Sequence, residues 1–482
     1  MKSPFKTLVI REIQGAIIDF RFWVVLVLCI SIIPLSFWVS TRSYSQQLSD
    51  YQQEMQTYRD KAYVYYDMVA EGFRPPSPLI IFSHGLSGKI PYKVLTSREG
   101  NFEIEYAKPD NKSDILGEID FAFIVAFILS LLAILFTFNA ISGDKETGMF
   151  RLILANPVLR KQVLMAKLVG NYVVFLVPFV LSLLIAILIV SLSGLIPIFS
   201  KELLMPVFIM VIISLLFILV MFNLGLWVSA LARNSILSVN VLLLIWIVLG
   251  LVIPKISPII SATIYPVEST NVYEAKKKLL IQNIENELIK EEGELYEALR
   301  AQFRPGSRGV STSWEEINKP YDEQVKPIRE KYEQQIVLET EKLTNDYNMR
   351  RNRQNSIIRN ISRLSPVYSI NNLLAEFSGT GYSETVNFIE QAKQYQATVK
   401  QEVYDQFEII MYRSQGSSTT SASLIGEGRS QSDIPLPMLD NYKFISAAKV
   451  FQQNWIDIAL LGFYCLLFFV CGFVSFLRFD VR

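Results

Sequence analysis

The chain has 482 residues, of which 51% are hydrophobic, and its mean hydropathy is +0.30. This is too apolar for an ordinary soluble protein and too polar for a chain that lies wholly in a membrane, so two kinds of segment must alternate. A net charge of +1 excludes an overall basic field that would attract nucleic acid. Three cysteines inside apolar runs and a single histidine argue against a disulfide framework and a zinc site.

The first predicted element is an amphipathic helix over residues 1–20, lying in the membrane interface. Its apolar stripe consists of Phe5, Val9, Ile13 and Ile17. The apolar run that follows is about 20 residues long and ends without a small-residue cleavage site, so we expect a retained anchor and not a signal peptide.

Six stretches are apolar over the roughly 20 residues that a helix needs to cross a membrane. They are TM1 at 21–40, TM2 at 121–141, TM3 at 169–193, TM4 at 204–232, TM5 at 236–253 and TM6 at 456–477. None carries a charged residue in its middle. Ion-coupled and proton-coupled carriers usually need such residues, so the energy for any transport is expected to come from elsewhere.

Lysine and arginine collect in the short segments that six spans would place on one side of the membrane. These segments are 1–20, the loop 142–168, the turn after TM4 and the tail 478–482. Because positive charge in short loops favours the cytoplasm, both termini are predicted to be cytoplasmic in a multi-pass protein of the cell (inner) membrane. Two long segments, 41–120 and 254–455, are then extracytoplasmic.

The two long segments have different patterns. Residues 41–72 continue TM1 as a helix, and the alternation around Val94 and Ile104 predicts a small β-hairpin. Residues 272–303 and 325–362 have helical spacing and predict a long antiparallel helical hairpin standing out from the membrane. The expected fold is a polytopic α-helical membrane protein with six transmembrane helices, a large, mostly helical extracytoplasmic domain and a small β-hairpin element.

The loop after TM2 has the most distinctive pattern. Met149, Leu152 and Ile153 would share one face of a short helix, which Pro157 ends. Such a helix either presses on a soluble partner or lies on the membrane, and periodicity alone favours neither.

This loop resembles the coupling region of ABC-2 type transporter permeases. The resemblance rests on Glu146-x-Gly148-x-x-Arg151-Leu152, on Pro157-x-x-Arg160 and on Lys167-Leu168-x-Gly170. Other stretches resemble a narrower group, the ABC-2 permeases carrying the domain of unknown function 3526. They are 78–87, 364–366 running on to 379–381, the C-terminal 476–482 and the position of the large outer domain.

The resemblance implies that the loop docks on a separate ABC ATPase, present in two copies that bind ATP and Mg. It implies ATPase-coupling roles for Glu146, Gly148, Met149, Arg151, Leu152, Ile153, Pro157 and Arg160. A second permease protomer, identical or related, is also implied. The chain has no phosphate-cradling G-x-x-x-x-G-K-[ST] pattern, so no ATPase activity, cofactor or metal of its own is expected. Asn171, Asn223 and Asn240 either line a substrate path or bond between helices.

The expected function is that of the permease subunit of an ATP-driven exporter, which moves a substrate out of the cytoplasm or the membrane. Two alternatives remain open. One is ATPase-driven transmission of force to an extracytoplasmic partner without transport through the spans. The other is a membrane scaffold without an ATPase, against which the coupling-loop pattern argues.

Overall fold

The computed structural model describes most of the chain, in two compact units. The described residues are 4–61, 69–86, 90–96, 102–106, 119–149, 159–302, 314–401, 439 and 442–478. Unit 1 comprises Met1–Val252 and Arg363–Arg482, and unit 2 comprises Ile253–Ser362.

Six helices among the described residues are long and apolar enough to cross a membrane, which confirms the expected fold class. They are Phe20–Arg59, Phe121–Glu146, Arg160–Ser193, Lys201–Leu231, Ser235–Ile264 and Ala447–Arg478, and they are called spans one to six below. A separate helix, Pro4–Ile18, precedes span one and packs along span three. A Cβ atom on Gly170 of span three would lie 2.7 Å from the Cβ of Glu12, so only glycine permits this close approach.

Polar side chains set where several spans begin. Asp120 accepts a hydrogen bond from the Phe123 amide at 2.7 Å, and Asn234 accepts one from the Leu237 amide at 2.8 Å. Each oxygen satisfies an amide that the first turn of a helix leaves without a partner. Span three ends at Gly194, whose φ of 68° is the left-handed conformation that closes many helices.

The spans of unit 1 pack around buried aromatic side chains. Phe37, Phe82 and Phe121 meet edge to face, with ring centroids 5.0 to 5.6 Å apart. Small residues let other spans approach closely: Gly225 of span four lies against Thr137 of span two. Transmembrane helices associate through such close packing because lipid provides no hydrophobic force between them.

The predicted β-hairpin is present, as strands Pro91–Thr96 and Phe102–Tyr106 with Val94 opposite Ile104. A third antiparallel strand, Ala70–Phe73, pairs with the first of these. The prediction of helix as far as residue 72 is therefore wrong at its end, since the helix of span one stops at Lys61. Gly72 lies beneath Val94, where a Cβ would be 2.9 Å from the valine side chain, and glycine is a poor helix former.

Two segments almost 300 positions apart in the chain interlock in unit 1. Residues Pro78–Ile81 form a 3-10 turn, which Ser77 precedes. The Ser77 hydroxyl donates to the Ser378 carbonyl at 2.6 Å, and the Thr380 hydroxyl donates to the Ser83 carbonyl at 3.0 Å. The stretches 78–87 and 379–381, which contribute to the resemblance, thus contact each other.

Unit 2 contains the predicted antiparallel helical hairpin. Its helices are Ile253–Ile264, Thr270–Gln302 and Trp314–Ser362. Tyr273 stacks on Tyr347 with centroids 4.2 Å apart, and Arg329 pairs with Glu292 at 2.5 Å, which fixes the antiparallel direction of the last two helices. The sequence stripes lie at this seam, where Ile284 and Val325 are buried.

The seam of the hairpin carries a stability prediction. Ile284 is 6% exposed, whereas Ile289, on the same helix, is 65% exposed. Ile284→Asp should destabilise the hairpin by several kcal/mol, because a buried charge without a partner is costly. Hydrogen exchange over 270–302 and 325–362 in the purified chain should then speed up. Ile289→Asp is the matched control and should leave exchange unchanged; equal effects of the two variants would refute the packing.

Candidate functional site

Span two ends in a short helix, Ser142–Glu146, from which the loop to span three begins, and three consecutive residues of this helix are charged. Of the residues assigned to coupling, Glu146, Gly148, Met149 and Arg160 are described, while Arg151, Leu152, Ile153 and Pro157 lie outside the described residues. Gly148 has a φ of 71°, a conformation that side chains disfavour, so the chain turns there. The side chain of Met149 is 39% exposed.

Asp144 connects this short helix to span three and to the N-terminal helix. Its Oδ2 lies 2.7 Å from the Nζ of Lys167 in span three. The same ammonium group lies 3.3 Å from Glu12 Oε1 of the helix Pro4–Ile18. Lys167 is only 4% exposed, so its charge is kept buried between two carboxylates. Paired burial of this kind makes the position of each group depend on the others.

Lys145 binds the end of span four. Its ammonium donates to the carbonyl of Ala230 at 2.5 Å and to that of Ala232 at 3.1 Å. The last carbonyls of a helix have no partner within the helix and carry its negative dipole end. A lysine at this position satisfies both the hydrogen bonds and the charge.

Glu146 binds the start of span five. Its carboxylate accepts from the Ser235 amide at 3.0 Å and from the Ser235 hydroxyl at 2.7 Å. Negative charge is favoured at the N-terminus of a helix, where free amides and the positive dipole end meet. Glu146 therefore complements span five as Lys145 complements span four.

Serine hydroxyls hold the base of the short helix against span four. The amides of Ile141 and Ser142 donate to the Ser229 hydroxyl at 3.1 and 3.0 Å. All three residues are fully or almost fully buried. The contact is therefore closed to solvent. Displacement of the short helix would leave the two amides and the Ser229 hydroxyl buried without these partners.

These contacts join the segment 141–146 to three spans. Three adjacent charged side chains reach span three, the end of span four and the start of span five in turn. Each contact is a charge-assisted hydrogen bond or an ion pair of defined geometry. We call this set of contacts the three-span anchor.

Arg160 lies at the other end of the loop, at the first residue of span three. Its Nη1 donates to the Leu477 carbonyl at 3.0 Å, close to the end of span six. The loop from 143 to 160 is thus held at both of its described ends.

The three asparagines proposed for a substrate path lie in separate surroundings. Asn171 donates to the Lys167 carbonyl of its own helix at 2.8 Å. Asn223 is buried and donates to the Cys465 carbonyl at 3.2 Å, which joins spans four and six. Asn240 is exposed on span five. Among the described residues no hydrogen bond connects the three.

Of the residues in the three-span anchor, the sequence pointed to Glu146 and, through the family resemblance, to Lys167. Lys145 contributed only to the positive charge of the loop, and no role was predicted for Asp144, Ser229 or Ser235. The partners of Lys145 and Glu146 lie 85 to 89 positions away in the chain, so no local period reveals the contacts. The one local signal for the contacts was the run of alternating charges Asp144-Lys145-Glu146, which directly follows an apolar stretch.

A comparison with protein-family models identifies the chain's relatives. The model described as ABC-2 family transporter protein matches residues 7–481. A search of curated proteins gave no match. The narrower group carrying the domain of unknown function 3526 remains a prediction from the resemblance.

Proposed function

The chain belongs to the ABC-2 transporter family, and from that premise we propose that it is the permease subunit of an ATP-driven exporter. Family membership and the six apolar helices make it a multi-pass membrane protein and a permease component that partners an ABC ATPase. The proposal adds export as the direction of transport, two copies of the ATPase, a second permease protomer, and cytoplasmic termini in the inner membrane.

The observation that carries this proposal is the three-span anchor. An ATPase-driven permease needs a site where a push on one loop is distributed among several spans. Asp144, Lys145 and Glu146 contact three spans from a single short helix. Met149 follows directly and is exposed, as a contact with a soluble partner requires.

In the proposed mechanism the ATPase supplies the binding sites for ATP and Mg. Closure of two ATPase subunits on ATP presses on residues 143–157. The short helix Ser142–Glu146 then moves the end of span four together with the start of span five, through the paired contacts of Lys145 and Glu146. Asp144 conveys the same movement to span three and, through Lys167, to the N-terminal helix.

Transmission of force to an outer partner is the second candidate, and unit 2 favours it. The two long helices Thr270–Gln302 and Trp314–Ser362 form an insertion between spans five and six. Their exposed surfaces are dense in charged side chains, which suits contact with a protein partner in water. In this alternative the ATPase and the three-span anchor act as above, but nothing passes through the spans.

Purification of the tagged chain from its native membranes tests the proposed function. Mass spectrometry should identify a copurifying ATPase that carries the phosphate-cradling motif this chain lacks, and the complex should hydrolyse ATP. Stimulation of hydrolysis by a transported compound in proteoliposomes would favour export over force transmission. A purified chain that brings no ATPase with it would contradict both and leave the scaffold.

A further inference from the structure

The chain leaves unit 1 after Val252 and returns to it at Arg363. Both junctions lie beside unusual features of unit 1. The first follows a π-helical turn, Val248–Val252, within span five. The second is at Arg363, which itself forms a buried ion pair with span six. Single π-helical turns within regular helices occur frequently at functional sites.

The ion pair joins Arg363 to Asp457 of span six. Arg363 Nε lies 2.8 Å from Asp457 Oδ1, and Nη2 lies 3.1 Å from Oδ2, so the guanidinium binds both carboxylate oxygens. Asn372 donates to the same Oδ2 at 3.2 Å. Asp457 is fully buried, and the side chain of Arg363 is 13% exposed.

Span six is broken beside this pair. Asn454 has φ −112° and ψ 17°, which lies outside the helical region, within a helix that otherwise runs from Ala447 to Arg478. Its side chain is buried, donates to the Val450 carbonyl at 3.1 Å and lies 3.4 Å from the amide nitrogen of Asn372. Span six contains no proline, and the Asn454 side chain occupies the Val450 carbonyl four residues earlier, as at kinks where a side chain enters the hydrogen-bond ladder of a helix.

Two further hydrogen bonds tie the junctions together. The Ser365 hydroxyl donates to the Leu249 carbonyl, which lies in the π-helical turn of span five. The Tyr464 hydroxyl donates to the Arg363 carbonyl at 2.9 Å. The chain just before unit 2, at Leu249, and the chain just after it, at Arg363 and Ser365, are therefore hydrogen-bonded together. Arg363 is also bonded to span six.

A buried ion pair adds little to the free energy of folding. The desolvation of two charges offsets most of their attraction, and apolar residues of equal volume often do as well. A bidentate arginine–carboxylate pair does impose one relative orientation on its two backbones. Ionisable residues are costly to place within membrane-spanning helices, so those that occur there usually mark functional positions.

We propose that Arg363 and Asp457 are positioning residues that pass the movement of spans five and six to unit 2. The inference rests on the proposed function, which supplies the ATP-driven movement of the spans. The kink at Asn454 and the π-helical turn of span five are the places where the two helices bend. The ion pair makes the chain at residue 363 follow span six, so unit 2 responds to each nucleotide cycle.

Distance measurements between spin labels test this coupling in the complete complex. Labels are placed at Met349→Cys in unit 2, where Met349 is 66% exposed, and at Glu390→Cys in unit 1, in a chain whose three native cysteines are replaced by alanine. Distances are recorded without nucleotide and after trapping with ATP and vanadate. The variants are Arg363→Gln, Asp457→Asn, Arg363→Lys and the exchanged pair Arg363→Asp with Asp457→Arg.

In the complex with the unaltered Arg363–Asp457 pair, the distribution of distances between the labels at positions 349 and 390 should shift when nucleotide is trapped. Arg363→Gln and Asp457→Asn should lose the shift while the ATPase still copurifies and hydrolyses ATP, because the three-span anchor is untouched. Arg363→Lys keeps the charge without the bidentate geometry and should show a reduced shift. The exchanged pair should restore part of it.

Arg300→Gln is the matched control, because Arg300 forms only a surface pair with Glu297, with both side chains more than 60% exposed. It should keep the full shift. The proposal is overturned if the single variants of the buried pair keep the shift, or if the unaltered complex hydrolyses ATP without any shift. Absence of the ATPase from the unaltered complex is a different result and would remove the proposed function together with this inference.

Discussion

Replacement of Leu152 and Ile153 together by aspartate should abolish binding of the ATPase. The two residues lie outside the described part of the chain, but their spacing with Met149 predicts one apolar face next to the three-span anchor. A few central apolar side chains often dominate the energy of an interface. Burying two carboxylates there should cost on the order of 4 kcal/mol, which corresponds to about a thousandfold weaker binding.

The permease itself should still insert and remain stable, because no span is altered. The measurement is the amount of ATPase that copurifies with equal amounts of the two permeases. Leu152→Met with Ile153→Leu is the matched control, since swaps that conserve volume and apolarity are tolerated. Normal recovery of the ATPase with the aspartate variant would make the coupling assignment wrong and move the scaffold alternative to first place.

The second expected result concerns the three-span anchor. Lys145→Met combined with Glu146→Gln should leave the ATPase bound but disconnect it from spans four and five. The methionine leaves the carbonyls of Ala230 and Ala232 without their cation, and the glutamine weakens the charged cap on Ser235. The two carbonyls belong to buried residues, and a buried polar group that loses its partner costs roughly 1–3 kcal/mol. The contact of Glu146 with Ser235 is exposed, and the variant removes only its charge.

The readout is the labelling rate of Arg233→Cys, which lies in the exposed turn between spans four and five. In the unaltered anchor this rate should change when the complex is trapped with ATP and vanadate, and in the double variant the change should disappear. Thr147→Ala is the matched control, since within the described part of the chain the Thr147 hydroxyl bonds to carbonyls of its own turn. A double variant that keeps the nucleotide response would show that force reaches the spans by another route.

The spans and the helical hairpin could be predicted because their signals are local. A run of apolar residues or a period of 3.6 is visible within one window of sequence. The six spans and the seam around Ile284 and Val325 follow from such windows. The β-hairpin around Val94 and Ile104 followed from its alternation in the same way.

The contacts of the three-span anchor could not be predicted, because they join distant parts of the chain. Lys145 meets carbonyls 85 and 87 positions later. Asp457 lies at the start of the predicted TM6, and no role was predicted for it, because its partner Arg363 is 94 positions away. The structure shows that Asp457 is buried. The strand Ala70–Phe73 was assigned to a helix because its partner strand lies beyond any local window.

Photocrosslinking from position 149 tests the central claim most directly. Met149 is 39% exposed and follows the three-span anchor, so a photoreactive residue there should form an adduct with the ATPase in native membranes. The same residue at position 192, where Leu192 is 78% exposed near the opposite end of span three, should form none. An ATPase adduct from 149 alone is the predicted result. Adducts from 149 with lipid only would contradict the claim that an ATPase drives this permease through the loop after span two.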